Sequence, residues 1–234
     1  MSGVLAIIPA RGGSKRIPRK NIREFCGIPI IAYSIGTAIQ SNCFDEVMVS
    51  TDDQEIAEVA KKYGASVPFL RDPITSNDHA GIADVVLEVL EMYKTIGRFF
   101  DAACCILPTA PLLRSCDLLA AKEVLIRGAY DTVFPVVRFS YPIQRALKRE
   151  GELTTMIWPE NYLARSQDLL QAYHDSGLFY WLSIPIFITK KRMFTDNSGS
   201  IELPETQVQD VDTEEDWQIC EMKYRLLSNK DVGS

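Results

Sequence analysis

The chain has 234 residues, 47% hydrophobic and 24% charged, which is enough to bury a full core without disulfide or metal staples. Its formal charge is −6, yet residues 1–23 hold six cations (Arg11, Lys15, Arg16, Arg19, Lys20, Arg23) and no acid, leaving 19 Lys and Arg against 31 acids elsewhere. A protein that coats nucleic acid needs a basic face and usually a basic total, so an acidic chain with one cationic loop suits a small anionic ligand instead.

Val4–Pro9 is a short unbroken apolar run, the mark of a strand buried on both faces. It is too short for a signal-peptide core, and no stretch approaches the ~20 apolar residues of a membrane span. A glycine-rich basic loop follows. Pro29–Gln40 reads as a helix and Glu46–Thr51 as a second strand. Asp52, with Glu55 three residues on, reads as the capping box of a helix that ends at Gly64. Ser66–Leu70 is expected as a short strand, Ile82–Tyr93 as an amphipathic helix, Ala102–Leu107 as a buried strand, Ser115–Ile126 as a helix and Thr132–Val137 as a strand.

This alternation implies a single α/β domain over 1–234, with a mostly parallel, doubly wound Rossmann-like sheet and helices on both faces. Residues 138–176 break the pattern and read as an excursion, a small subdomain or dimer arm. Leu178–Thr189 returns to strand-like composition. The last helix begins at Thr213, its first-turn acids complementing the helix dipole. The six cysteines lack C-x-x-C spacing, which argues against a zinc site and suits reduced thiols in a cytoplasmic protein.

Three constellations could carry chemistry. The loop Pro9–Asn21 follows the first strand, where open α/β sheets bind ligands. Gly12 and Gly13 allow close backbone approach, and Arg11, Lys15 and Lys20 can neutralise a polyphosphate. The loop matches neither G-x-x-x-x-G-K-[ST] nor G-x-G-x-x-G, and it could also be a solvated basic turn. In Asp210-Val211-Asp212, residues i and i+2 of an extended segment share a side, so the two carboxylates could hold Mg²⁺. Asp212 could equally cap the last helix. Leu107–Arg114, at the end of a buried strand, is either a structural turn or a ligand contact.

In order along the chain, these motifs resemble the CMP-sialic acid synthetase family, cytidylyltransferases that activate nine-carbon acidic sugars. The family loop I-P-A-R-x-x-S-K-x-x-x-x-K-N reads here Ile8-Pro9-Ala10-Arg11-Gly12-Gly13-Ser14-Lys15, ending in Lys20-Asn21. Val49-Ser50-Thr51-Asp52, Arg71-Asp72-Pro73 with Asn77-Asp78, and the D-x-D of Asp210 and Asp212 follow. The family's Q-P-T-S-P-L-R departs to Leu107-Pro108-Thr109-Ala110-Pro111-Leu112-Leu113-Arg114. Phe139–Ala146 and Ala172–Trp181 are similar to the pseudaminic acid branch.

The resemblance implies CTP and an acidic nine-carbon sugar as substrates, with no nucleic-acid or membrane partner. Arg11, Ser14, Lys15, Lys20 and Asn21, with Gly13 in the same loop, would surround the triphosphate; Arg11, Lys20 and Asp212 would be the catalytic set. Ala10, Gly12 and Arg71 would meet cytosine, and Asp210 and Asp212 would hold Mg²⁺. Arg165, with Arg145 as second candidate, would take the sugar carboxylate. Gln144, Tyr173, His174 and Tyr180 would contact its acyl and hydroxyl groups, although His174 and the tyrosines could also be surface or packing residues. A homodimer in which residues 138–176 reach the partner's site is also implied. Rival readings are a synthetase for legionaminic or sialic acid, or a non-catalytic nucleotide-binding regulator.

Overall fold

The computed structural model describes residues 3–72 and 81–231, with side chains described to residue 228. The elements run β1 (Gly3–Pro9), the small hairpin β2 (Glu24–Phe25) and β3 (Ile28–Pro29), α1 (Ile30–Gln40), β4 (Glu46–Ser50), α2 (Gln54–Lys62) and α3 (Ile82–Thr95). Then come β5 (Phe100–Ile106), α4 (Ser115–Gly128), β6 (Thr132–Arg138), the hairpin β7 (Leu147–Glu150) and β8 (Leu153–Met156), and β9 (Tyr173–Asp175). The chain ends with β10 (Phe179–Ser183), α5 (Ile184–Lys190), β11 (Ser198–Glu202) and α6 (Glu214–Asp231).

The main sheet has the order β11-β6-β10-β5-β1-β4, with β9 also on β6. Strand β1 pairs in parallel with β4 and β5, and β11 in parallel with β6, while β9 and β10 run antiparallel to their neighbours. The strands alternate as their burial on two faces demands. Ala6, Ile8, Val49, Cys104, Phe179 and Trp181 face α1, α2 and α4. Leu5, Ile7, Met48, Cys105, Tyr180 and Leu182 face α3 and α5. A third apolar cluster joins Ile17 of the basic loop, Phe25, Leu112, Val211 and Trp217.

Three sequence expectations change. The cap of α2 is Asp53, whose side chain accepts from the Ile56 N–H at 3.0 Å; Asp52 instead accepts from the Gly12 N–H at 3.1 Å. Both acids fit the capping pattern, and the tertiary contact decides between them. Ser66–Leu70 is not a strand: it contributes one bridge, Ser66 to Met48. Leu178–Thr189 is split, because the chain leaves the sheet after Ser183 and turns into α5 with Pro185 in the first turn, where its missing N–H costs nothing. The edge strand β11 was not foreseen. Its Ser-Gly-Ser-Ile-Glu sequence has no apolar run to announce it. After Val137 the chain leaves the α/β alternation for short 3-10 turns around β7 and β8. Of the 71–78 motif, Pro73, Asn77 and Asp78 lie outside the described residues.

Candidate active site

The carboxyl ends of β1, β4 and β5 meet at a cleft of about 450 Å³. Arg11, Ser14, Lys15, Lys20 and Asn21 line it from the loop after β1, and Arg71 from beyond β4. Leu107, Pro108 and Thr109 line it from the turn after β5, and Asp210 and Asp212 from the segment before α6. Eight site residues expected from sequence therefore share one cavity. Arg16 is an additional lining residue whose place in a six-cation loop did not single it out.

The loop is fixed from three directions. Asn21 is buried and donates Nδ2 to the Arg11 carbonyl at 2.9 Å, closing the loop on itself. Ala10 is fully buried and donates its N–H to the Ser50 carbonyl at 2.9 Å. Arg19 adopts a left-handed backbone with φ of 54°, a conformation that costs a non-glycine residue about 1–2 kcal/mol. Its guanidinium grips Asp53, Nη2 to Oδ1 at 3.1 Å, and also pairs with Glu55, which offsets that strain. Arg19 raises and Asp53 lowers its pKa through this contact, keeping both charged.

The loop and the acidic segment meet directly. Lys20 Nζ donates to the Val211 carbonyl at 2.7 Å and lies 3.4 Å from Asp212 Oδ1. Arg16 pairs with the same oxygen at 2.9 Å. Asp212 is held from behind by Asp216, whose Oδ2 accepts from the Asp212 N–H at 3.1 Å and the Thr213 N–H at 2.8 Å. The Asp216 N–H donates back to Thr213 Oγ1 at 3.2 Å, so the reciprocal cap of α6 also sets the backbone at Asp212. Desolvation, then the neighbouring Asp212, hold the Asp210 carboxyl above the ordinary carboxylate range, with Lys20 opposing.

Two carboxylates that repel each other beside a cationic loop suit a hard divalent cation that takes its remaining oxygens from phosphate and water. Among the described residues no group of three or more acids, histidines or cysteines could hold a metal by itself. Arg71 is 7% exposed and donates Nε to Ser50 Oγ at 3.0 Å and Nη2 to the Ser50 carbonyl. Burial pushes its pKa down, and Asp52 and Glu88 oppose that.

The six residues expected at the sugar do not line this cleft. Gln144, Arg145 and Arg165 lie in the 138–176 segment, with both arginines exposed. Gln144 donates Nε2 to the Leu170 carbonyl at 2.8 Å. Tyr173 and His174 are exposed on β9, and His174 packs edge-on against Phe139. Tyr180 is buried and donates its hydroxyl to Asp175, which with burial raises its pKa well above the usual phenol value. Asp175, which sequence reasoning did not select, thus fixes the Tyr180 hydroxyl.

A family model for cytidylyltransferases matches residues 5–224. The chain belongs to the cytidylyltransferase family. It is 44% identical over 95% of its length to the pseudaminic acid cytidylyltransferase of Campylobacter jejuni subsp. jejuni serotype O:2, covering 96% of that protein. It is 32% identical to the CMP-N,N'-diacetyllegionaminic acid synthase of Legionella pneumophila, over 95% of this chain and 97% of the relative. The fold matches a CMP:2-keto-3-deoxy-manno-octonic acid synthetase complexed with CTP, with TM-score 0.69 at 18% identity over 98% of this chain and 100% of that one. This membership makes the chain a nucleotidyltransferase. No described helix is long and apolar enough to cross a membrane.

The glycines of the family loop are not equivalent. A Cβ on Gly12 would stand 2.5 Å from Asp53 Oδ2, whereas one on Gly13 would meet no atom within 4 Å. Gly12→Ala is expected to weaken CTP binding about ten-fold by displacing the Arg19–Asp53 anchor, and Gly13→Ala to weaken it less. Titration calorimetry with CTP, alongside circular dichroism for fold, checks the order.

Proposed function

We propose that the cleft binds CTP with Mg²⁺ and that pseudaminic acid is the acceptor, giving CMP-pseudaminate and pyrophosphate for surface glycan synthesis. The observation that carries this reading is the single cavity shared by the cations of the family loop and the carboxylates of Asp210 and Asp212. The choice of sugar is supported by the 44% identity to the Campylobacter enzyme.

The anomeric hydroxyl of the sugar would attack the α-phosphorus, and pyrophosphate would leave. Such a transfer needs charge neutralisation and alignment rather than a covalent nucleophile. Arg11, Lys15 and Lys20 would neutralise the triphosphate, with Ser14, Asn21 and the backbone of Gly13 shaping its cradle and the backbone of Gly12 meeting the cytosine. A lysine ammonium has three donors; Lys20 directs two at Val211 and Asp212 and would turn the third to a phosphate oxygen. Arg71, held rigid by Ser50, and the carbonyl of Ala10 would meet the cytosine edge. Asp210 and Asp212 would hold Mg²⁺, which when bound supplies positive charge to phosphate oxygens and acidifies a bound hydroxyl.

Arg165 and Arg145 are suited to the sugar carboxylate by their paired donors, and Gln144, Tyr173, His174 and Tyr180 to its acyl and hydroxyl groups. In one chain these residues stand off the cleft, which favours a homodimer whose arm completes the partner's site. Half of the exposed large hydrophobic residues among the described ones, 11 of 22, fall within 139–173. Monomeric proteins seldom expose apolar surface so concentrated. The free thiols of the described cysteines suit a reducing, cytoplasmic setting.

Incubation with CTP, Mg²⁺ and a panel of acidic sugars, read by mass spectrometry, is expected to give a CMP-sugar with pseudaminic acid. Product with legionaminic or sialic acid alone would reassign the acceptor. Mixing inactive Lys20→Ala and Arg165→Ala chains under subunit exchange is expected to restore up to about a quarter of the activity, since random pairing leaves some dimers with one intact shared site. No recovery would contradict the shared site.

A further inference from the structure

Between α4 and the segment that leads to the two cleft acids lies a buried polar pair that none of the roles above uses. Asp117, in the first turn of α4, is 6% exposed, and Gln207 is 1% exposed. Gln207 Nε2 donates to Asp117 Oδ2 across a separation of 90 residues. Arg114 holds the same carboxylate through Nε at 3.2 Å and Nη2 at 3.1 Å, and Cys116 Sγ lies 3.7 Å from Oδ1. An acid at this place in a helix ordinarily serves the open N–H groups of the first turn. This one reaches sideways, to the segment that carries the two acids of the cleft.

Burying an amide and a carboxylate is unfavourable unless each keeps its partner. One register of the 205–212 segment against α4 gives the buried Gln207 amide its acceptor, and a slip would strand that amide while Asp117 kept Arg114. The positions of the two partners give that register its consequence. Asp117 follows the turn whose first residues, Leu107, Pro108 and Thr109, line the cleft. Gln207 precedes Asp210 by three residues, a reach of at most about 10 Å.

Other restraints on the segment come from the basic loop, where Lys20 holds the Val211 carbonyl and Lys20 and Arg16 face Asp212, and from α6. Lys223 Nζ donates to the carbonyls of Val208 at 2.7 Å and Glu205 at 3.0 Å, and Asp216 holds the Asp212 N–H. Those α6 contacts tie the segment to the C-terminal helix. The Gln207–Asp117 bond refers the segment instead to α4, just after the turn that lines the cleft, and Val211 shares an apolar cluster with Leu112 of that turn. We propose that Asp117 and Gln207 are positioning residues that set where the carboxylates of Asp210 and Asp212 stand relative to the phosphate loop. This rests on the role given above to that acid pair.

The test uses the full chain with Gln207→Glu, Gln207→Met, Asp117→Asn and the double variant Asp117→Asn/Gln207→Glu. The single Glu variant sets two carboxylates against each other, and the Met variant fills the space without a donor. The double variant restores one donor and one acceptor in reversed order. Three quantities are read: kcat, the KM for CTP, and Mn²⁺ affinity by electron paramagnetic resonance without turnover.

Gln207→Glu and Gln207→Met are expected to lower kcat and Mn²⁺ affinity about ten-fold, the scale of a ~1 Å misplacement, with a smaller change in KM for CTP. Asp117→Asn keeps an acceptor for Gln207 and is expected to lose less, and the double variant to recover most of the loss of Gln207→Glu. Wild-type kcat and Mn²⁺ affinity in Gln207→Met would overturn the proposal, as would absence of rescue in a folded double variant. Asp212→Ala run in parallel separates the two levels. If it abolishes Mn²⁺ binding while the Gln207 variants bind normally, the tie alone fails; if it binds Mn²⁺ as well as wild type, the acid-pair role itself fails.

Discussion

Lys20 and Asp212 lie 192 positions apart in the chain and 3.4 Å apart in space, and much of the site depends on that meeting. Neither group would stay there by attraction alone, because a half-exposed ion pair contributes only about 0–1 kcal/mol. The apolar cluster beneath them supplies the larger force. Phe25 sits among Tyr33, Trp217 and Tyr224, with ring centroids 5.5, 5.5 and 5.6 Å away in edge-on arrangements. Arg23 lies over the Trp217 ring at 4.5 Å. These contacts clamp α6 to the small hairpin after the basic loop, so the N-terminal cations and C-terminal acids are carried on one rigid support.

The charge distribution of the sequence takes on a structural meaning here. The cations of residues 11–23 are not one undivided patch. Arg19 and Arg23 pair outward with Asp53 and Glu214 and act as anchors. Arg16 and Lys20 face Asp212, and Arg11, Lys15 and Lys20 line the cavity proposed for the triphosphate. Sorting a basic run into anchors and ligands requires the acids that oppose it, and these come from distant parts of the chain.

Much of the α/β alternation was legible because strands buried on both faces leave unbroken apolar runs, as in Val4–Pro9 and Ala102–Leu107. The grouping of the basic-loop and acid-pair residues was legible because their order and spacing follow a family pattern. What escaped is local ambiguity resolved by tertiary contact. Asp52 and Asp53 are interchangeable caps until Gly12 claims one of them. The β-branched and aromatic run after Leu178 suits a strand throughout, yet half of it is α5. Gln207 looks like any surface glutamine, and only its burial against Asp117 reveals it.

The central claim is that one cleft takes the phosphates on Lys20 and the divalent metal on Asp212. Its most direct test is CTP affinity by calorimetry, with and without Mg²⁺, in wild type, Lys20→Ala and Asp212→Ala. The expected result is that Mg²⁺ tightens CTP binding about ten-fold or more in wild type, that Asp212→Ala binds CTP without responding to Mg²⁺, and that Lys20→Ala binds weakly in both conditions. A full Mg²⁺ response in Asp212→Ala would contradict it.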